Sequence, residues 1–265
     1  VTVDDRDRVP PGHVLETGQG SAVLCLHGTA PGTTAEGNFE RLFPALRGYR
    51  VLAPDLLGFG AGPKPAGLGY GPRLWAEQAW EVLGARGIDQ VTVIGNSMGA
   101  SVALRMAVDR PERVRGLVLL STRVVRSTSP AQKLLREYTP SLAAMERLIR
   151  ECFVTDQSLV TPELVRSRYE LSARPGAPEA MRRVFEGLAS DTGFTEDELD
   201  TVAAPALLLH GREDRVVPAD NGVELARRLP RADLHLLSGT GHWLQIERAN
   251  LVNLLIREFL DHHAR

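Results

Sequence analysis

Three residues far apart in the chain, Ser97, Asp214 and His242, are of the types that together carry nucleophilic catalysis. Ser97 stands in Gly95-Asn96-Ser97-Met98-Gly99, a G-x-S-x-G pattern preceded by the β-rich run Val91-Thr92-Val93-Ile94 and followed by a helix-like segment, Ala100 to Val108. In that setting the serine is lifted on a strained strand-to-helix turn, and the flanking positions must be glycine because a Cβ would meet neighbouring backbone. The helix after it aims free N–H groups and a partial positive charge at any oxyanion formed there. A serine hydroxyl needs a general base within hydrogen-bond reach and an acid that orients the base. Without them the pattern is only a Gly-Ser turn.

The chain supplies both further on. His242 lies in Gly239-Thr240-Gly241-His242-Trp243, directly after the last expected strand, and Asp214 lies in His210-Gly211-Arg212-Glu213-Asp214-Arg215, after the strand before it. Both fall at strand carboxyl ends, and the order Ser, Asp, His is that of nucleophile-elbow α/β enzymes. Asp214 is favoured because the turn after Gly211 carries it back over the sheet end; Glu213 and Asp220 are its rivals. His210 reads as packed, and His27 as a loop-shaping residue. The oxyanion needs two preorganised donors, for which the backbone N–H groups of Met98 and Thr29 are the candidates.

The elements that must position these residues alternate. Ala22-Val23-Leu24-Cys25-Leu26 is a continuous apolar run, as in a sheet covered on both faces, and it ends in the loop His27-Gly28-Thr29-Ala30-Pro31-Gly32. Asn38 to Leu46 reads as helix, Tyr49 to Ala53 as strand, Gly58 to Pro72 as a Gly/Pro-dense loop, Arg73 to Ala85 as helix and Leu117 to Leu120 as a buried strand. From about Thr122 to about Thr201 the pattern turns to short helical segments, among them Gln132 to Tyr138, Leu142 to Phe153 and Pro178 to Leu188. Strand and helix then alternate again through Ala206-Leu207-Leu208-Leu209, Gly222 to Leu229, Leu234 to Leu237 and Ala249 to His262. The expectation is an α/β fold with a mostly parallel central sheet flanked by helices. Its core comprises 1–122 and 201–265, and 123–200 forms an inserted helical lid.

Composition narrows the function. With 265 residues, 43% hydrophobic and 24% charged, the chain can bury one sizeable core. A net charge of −2 provides no electrostatic footprint for nucleic acid or an anionic membrane. Cys25 and Cys152 read as small buried hydrophobes, and no Cys/His metal spacing is present, so neither metal nor cofactor is expected. The polar start VTVDDRDRVPPG is no signal peptide and no run reaches membrane-spanning length, which makes the cytoplasm the default location. The expected partner is a small-molecule substrate; a homodimer is left open.

With Ser97, Asp214, His242 and the His27-Gly28 loop assembled, the chain resembles the α/β-hydrolase fold superfamily. His27-Gly28-Thr29-Ala30-Pro31-Gly32 followed by Gly37-Asn38-Phe39, with Gly95-Asn96-Ser97-Met98-Gly99 and Gly241-His242-Trp243, is most similar to the meta-cleavage product hydrolases. That resemblance implies a cofactor-independent Ser-His-Asp enzyme that hydrolyses a carbon-carbon bond in a vinylogous diketone from aromatic ring cleavage. It further implies a polar substrate subsite built from Gly28, Asn38, Asn96, Trp243 and a lid arginine, for which Arg168 is the candidate. The chain departs from the family's Gly-rich pattern at Thr29-Ala30, and has Ala100 where the family carries a second glycine after the elbow. The same motifs would serve a carboxylesterase or lactonase, a cofactor-free haloperoxidase, or a non-catalytic ligand-binding protein on this fold.

Overall fold

The computed structural model describes residues 12–123 and 129–263. Seven strands form one sheet in the order β1-β3-β2-β4-β5-β6-β7: β1 (Val14–Thr17), β2 (Ala22–Leu26), β3 (Arg50–Pro54), β4 (Val91–Asn96), β5 (Val114–Leu120), β6 (Ala206–Gly211) and β7 (Ala232–Leu237). All neighbours pair parallel except β1, which runs antiparallel to β3 at one edge. Strands β2, β3, β4 and β6 are buried almost along their whole length, as their unbroken apolar runs require when helices cover both faces. β7, at the other edge, leaves Asp233, His235 and Leu236 exposed.

One face is covered by α2 (Pro72–Gly84), α3 (Met98–Asp109) and α9 (Asp220–Arg228), which bury Trp75, Leu83, Val102, Met106 and Leu225 against it. The other is covered by α1 (Ala35–Phe39), the short α10 (Leu244–Glu247) and α11 (Ala249–His263), through Phe39, Leu244, Val252, Ile256 and Leu260. Cys25 and Cys152 are both free thiols and buried. The segment Asn38 to Leu46, expected as one helix, is broken. α1 ends at Phe39, and a separate 3-10 turn covers Phe43–Leu46, with Pro44 in its first turn. Proline has no N–H to continue the ladder and closes off the preceding turn.

Every described element between β5 and β6 is helical: α4 (Pro130–Arg136), α5 (Leu142–Leu148), α6 (Pro162–Ser172), α7 (Ala177–Ser190) and α8 (Glu196–Asp200), with short 3-10 and π turns. The segment expected as helix from Leu142 to Phe153 changes at Ile149 to a π turn, Ile149–Phe153, whose wider winding buries Ile149, Cys152 and Phe153 together. α6 starts on Thr161, whose hydroxyl accepts from Leu164 N, with proline in the first turn. α4, α5 and α6 share an apolar cluster with Val216, Val217 and Trp243, above the carboxyl ends of the strands. α8 belongs with the sheet instead: Leu199 joins the core beside α3, and Glu198 accepts from the buried Arg105 at 2.7 Å.

α3 approaches the end of β2 so closely that a Cβ on Gly99 would collide with the carbonyl oxygens of Leu26 and His27. Gly99→Ala is therefore expected to cost about 4 kcal/mol, a fall in Tm of about 10 °C for a chain of this size. Gly84→Ala at the end of α2, where the added methyl meets nothing within 4 Å, should leave Tm unchanged or raise it slightly. Thermal unfolding of the two variants beside wild type checks the contrast.

Candidate active site

Ser97 joins β4 to α3 at φ 53° and ψ −114°, a left-handed conformation rare for any residue other than glycine. Its neighbours make it unavoidable. A Cβ on Gly95 would collide with Gly99 O and lie 2.6 Å from Ala100 Cα, so strand and helix meet too closely for a relaxed turn. The backbone at the turn stays satisfied, with Ser97 N donating to Leu120 O at 2.7 Å and Ser97 O accepting from Ala100 N and Ser101 N. Met98 is the first residue of α3, where a helix leaves its N–H without an internal acceptor. Thr29, in the loop after β2, donates its hydroxyl to Met98 Sδ, which ties the two expected oxyanion residues side by side.

His27 shapes that loop. Its Nε2 accepts from Leu56 N at 3.0 Å, so the proton sits on Nδ1 and is donated to Gly28 O at 2.8 Å. Burial lowers its pKa, only partly offset by the bond to the Gly28 carbonyl, and keeps the ring neutral. Gly28 is pressed against the elbow: a Cβ there would lie 2.9 Å from Asn96 Oδ1 and 3.3 Å from Ser97 Cβ. Asn96 is buried, and its amide points to Leu120 O at 3.5 Å. Both residues, expected to bind substrate, thus stand in contact beside the Ser97 turn.

Asp214 and His242 meet across the ends of β6 and β7. Asp214 Oδ2 accepts from His242 Nδ1 at 2.7 Å, while Oδ1 accepts from Val216 N and Val217 N, each at 2.9 Å. His210 Nε2 lies 3.5 Å from the same Oδ2 and 2.9 Å from Val217 O, the packed role expected for it. Burial pushes the Asp214 pKa up, but the His242 and His210 imidazoles outweigh it and hold the carboxyl well below its ordinary value. Its rivals are engaged elsewhere. Glu213 Oε2 accepts from Thr240 N at 2.9 Å, and Asp220 opens α9.

The third grouping lies beneath the inserted helices. Arg168, on α6, is 7% exposed, and its guanidinium lies 4.7 Å from the centre of the Trp243 ring. Its Nη2 donates to Thr33 Oγ1 at 3.0 Å, its Nε has no partner, and no carboxylate pairs with it among the described residues. Burial draws its pKa down to about 10, so it stays charged at neutral pH. Asn38 stands on α1, buried, with Nδ2 unpartnered. Phe153 stacks on Trp243 with ring centres 4.4 Å apart and lies 6.0 Å from the His242 ring. Phe153 and Thr33 carry no motif; they become visible only when the π turn and the loop after β2 are brought to the same place.

Ser97 opens into a cavity of about 470 Å³ with Thr29, Met98, Leu135, Phe185 and Val217 in its wall and Gln132, Arg123 and Arg136 at its polar side. A second cavity of about 490 Å³ adjoins it, sharing Leu135, Arg136 and Phe185 and reaching Gly32 and Thr33. Among the described residues no group of three His, Cys, Asp or Glu side chains could hold a metal ion. No described helix is long and apolar enough to cross a membrane.

A serine on a strained strand-to-helix turn, an Asp-His pair at the next strand ends and a helical insertion after β5 define an α/β hydrolase. The model of the alpha/beta hydrolase fold family matches residues 21–249, and the chain belongs to that family. Within it, the chain is 38% identical to the 2-hydroxymuconate semialdehyde hydrolase of Pseudomonas putida, over 92% of this chain and 89% of that protein. It is 34% identical to the 2-hydroxy-6-oxononadienedioate/2-hydroxy-6-oxononatrienedioate hydrolase of Burkholderia vietnamiensis, over 94% and 90%. A meta-cleavage product hydrolase from Pseudomonas fluorescens superposes with a TM-score of 0.90 at 34% identity, covering 94% of this chain and 93% of that one.

Asp214→Asn keeps the acceptor for Val216 and Val217 but turns an amide toward His242 and reverses the imidazole tautomer. Turnover should fall on the order of ten-thousandfold, whereas Glu213→Gln and Asp220→Asn stay within about tenfold. Acid unfolding supplies a second check. The folded carboxyl of Asp214 has a lower pKa than the unfolded one, so its stabilisation is fully present above the unfolded value, about 3.9, and is lost as pH falls through the folded value. In urea titrations below about pH 4, wild type should therefore lose stability more steeply than Asp214→Asn.

Proposed function

We propose that the chain is a cofactor-independent serine hydrolase that breaks a carbon-carbon bond in a vinylogous diketo acid, with the insertion of residues 123–200 as its lid. The observation that carries this reading is Arg168, a buried guanidinium with no carboxylate partner among the described residues. A buried charge without a partner is costly, and a planar guanidinium matches a carboxylate or enolate bidentately. Asn38 Nδ2, also buried and unpartnered, is a second donor for the oxygenated end of a substrate. The names of the relatives, hydrolases of a hydroxymuconate semialdehyde and of hydroxy-oxo-dienedioates, support the same class.

The chemistry follows from the charges that must be managed. Arg168, Asn38 and Trp243 hold the keto-acid end while the substrate is ketonised, which places a carbonyl where it can receive the electrons of the breaking bond. His242 Nε2 takes the Ser97 proton as Oγ attacks the other carbonyl, and Asp214 stabilises the imidazolium through Nδ1. The backbone N–H groups of Met98 and Thr29 receive the oxyanion. When the tetrahedral centre collapses, the carbon-carbon bond breaks, its electron pair leaves as an enol, and the His242 proton completes that product. The acyl half stays on Ser97 in the cavity walled by Leu135, Phe185 and Val217 until water, activated by His242, releases it as an acid.

Two measurements test the reading. Ser97→Ala should remove turnover on the order of a millionfold with the fold intact, and loss of Ser97 with residual activity above about one per cent overturns the serine mechanism. Arg168→Ala should cost about 2 to 4 kcal/mol of transition-state stabilisation on a diketo acid, but less than about tenfold on a p-nitrophenyl ester that has no acid group. The check is kcat/KM for both substrates at one pH and salt concentration. No loss on the diketo acid would leave a general esterase as the better reading.

A further inference from the structure

The loop that carries His242 is held at four successive residues, three of them by groups from distant parts of the chain and one by Glu247, six residues on. Thr240 N donates to Glu213 Oε2 at 2.9 Å, Gly241 N to Glu247 Oε1 at 2.6 Å, and Trp243 N to Phe153 O at 3.0 Å; His242 O accepts from Ser121 Oγ at 3.2 Å. Glu247 differs from the other anchors in what its second oxygen does. Oε2 accepts from Thr155 N at 2.7 Å and from Asp156 N at 3.0 Å, so one carboxylate gathers three main-chain N–H groups, two of them from the inserted segment and one from the residue before His242.

A carboxylate is the only side chain that offers acceptor sites on both ends and no donor, and charge-assisted bonds to N–H are short and strong. A neutral amide at the same place would turn a donor toward at least one of these N–H groups. The fit leaves no slack, because a Cβ on Gly241 would lie 2.9 Å from Phe153 O and 3.0 Å from Glu247 Oε1. Asp214 orients the imidazole by its ring nitrogen alone, so the backbone under His242 needs its own support. A shift of about 1 Å in a catalytic group costs on the order of a hundredfold in rate.

We infer that Glu247 is a positioning residue for His242, which clamps the catalytic loop and the 153–156 segment of the insertion into one rigid body. This rests on Ser97 and His242 being nucleophile and base, and not on which bond is cleaved. Glu247 touches no reacting atom in this role; it acts through Gly241.

The test uses Glu247→Gln and Glu247→Ala beside Glu151→Gln, a control in an exposed ion pair with Arg147. Three quantities are measured: kcat and KM on a p-nitrophenyl ester and on a diketo acid, and the second-order rate of Ser97 labelling by a fluorophosphonate. Circular dichroism and Tm establish that each protein is folded at the assay temperature. Glu247→Gln should lower kcat about thirtyfold on both substrates, with KM within about threefold, and slow labelling by a similar factor. Glu247→Ala should be worse in the same readouts, and Glu151→Gln should match wild type. Variants with a lower Tm but kcat and labelling rate within about threefold of wild type would reduce Glu247 to a stability contact and overturn the inference. A raised KM with unchanged kcat and labelling would also overturn it. Failure of the underlying mechanism is separately visible, since wild type would then resist labelling altogether.

Discussion

β4, β2 and α3 meet so closely around Ser97 that only glycine fits at positions 95 and 99, and the rest of the site is built on that contact. Because α3 lies against the carbonyl of Leu26, the loop after β2 starts beside the first N–H of the helix, and Gly28 lies against Asn96 and Ser97. A left-handed serine costs about 1 to 3 kcal/mol. The sheet offsets it by holding the turn on both sides, with Ser97 N bonded to Leu120 O and the buried strands β4 and β5 paired along their length. Ser121, at the end of β5, is the other described non-glycine residue with positive φ, and its hydroxyl reaches the His242 carbonyl. Both positive-φ serines thus stand at the ends of neighbouring strands, one at the elbow and one against the His242 backbone.

Two buried charges of opposite sign are treated in opposite ways. Asp214 accepts from two main-chain N–H groups and from His242, with His210 Nε2 3.5 Å from Oδ2, so its negative charge is stabilised before any substrate arrives. Arg168 keeps one bond to Thr33 and the face of Trp243, and its Nε is left over. The first arrangement suits a group that must stay fixed and ionised through a reaction; the second suits one that completes its shell with a ligand. The inserted segment supplies Arg168 and Phe153, and the core supplies Trp243, which packs against both, so this grouping exists only where the two parts of the chain meet.

Read alone, the sequence determined the elbow, the alternation of strands and helices, and the three residue types at strand ends. Each of these is local: glycine spacing, apolar runs and the residues that follow them act within about ten positions of one another. The family resemblance made Arg168 a candidate, but one arginine among several, because a solvated and a buried guanidinium look the same in a list of residues. Tertiary structure decided what depends on distance. It set the partners of the two neighbouring acids, since the turn after Gly211 aims the Asp214 carboxylate at His242 and that of Glu213 at Thr240 N. It ended α1 at Phe39 and converted Ile149–Phe153 to a π turn, which put Phe153 against Trp243 some ninety residues away. Thr33, Ser121 and Glu247 have no motif, because a hydrogen bond between segments 90 to 135 residues apart leaves no periodicity behind. Local spacing sets local backbone, and only packing decides which distant donors and acceptors face each other.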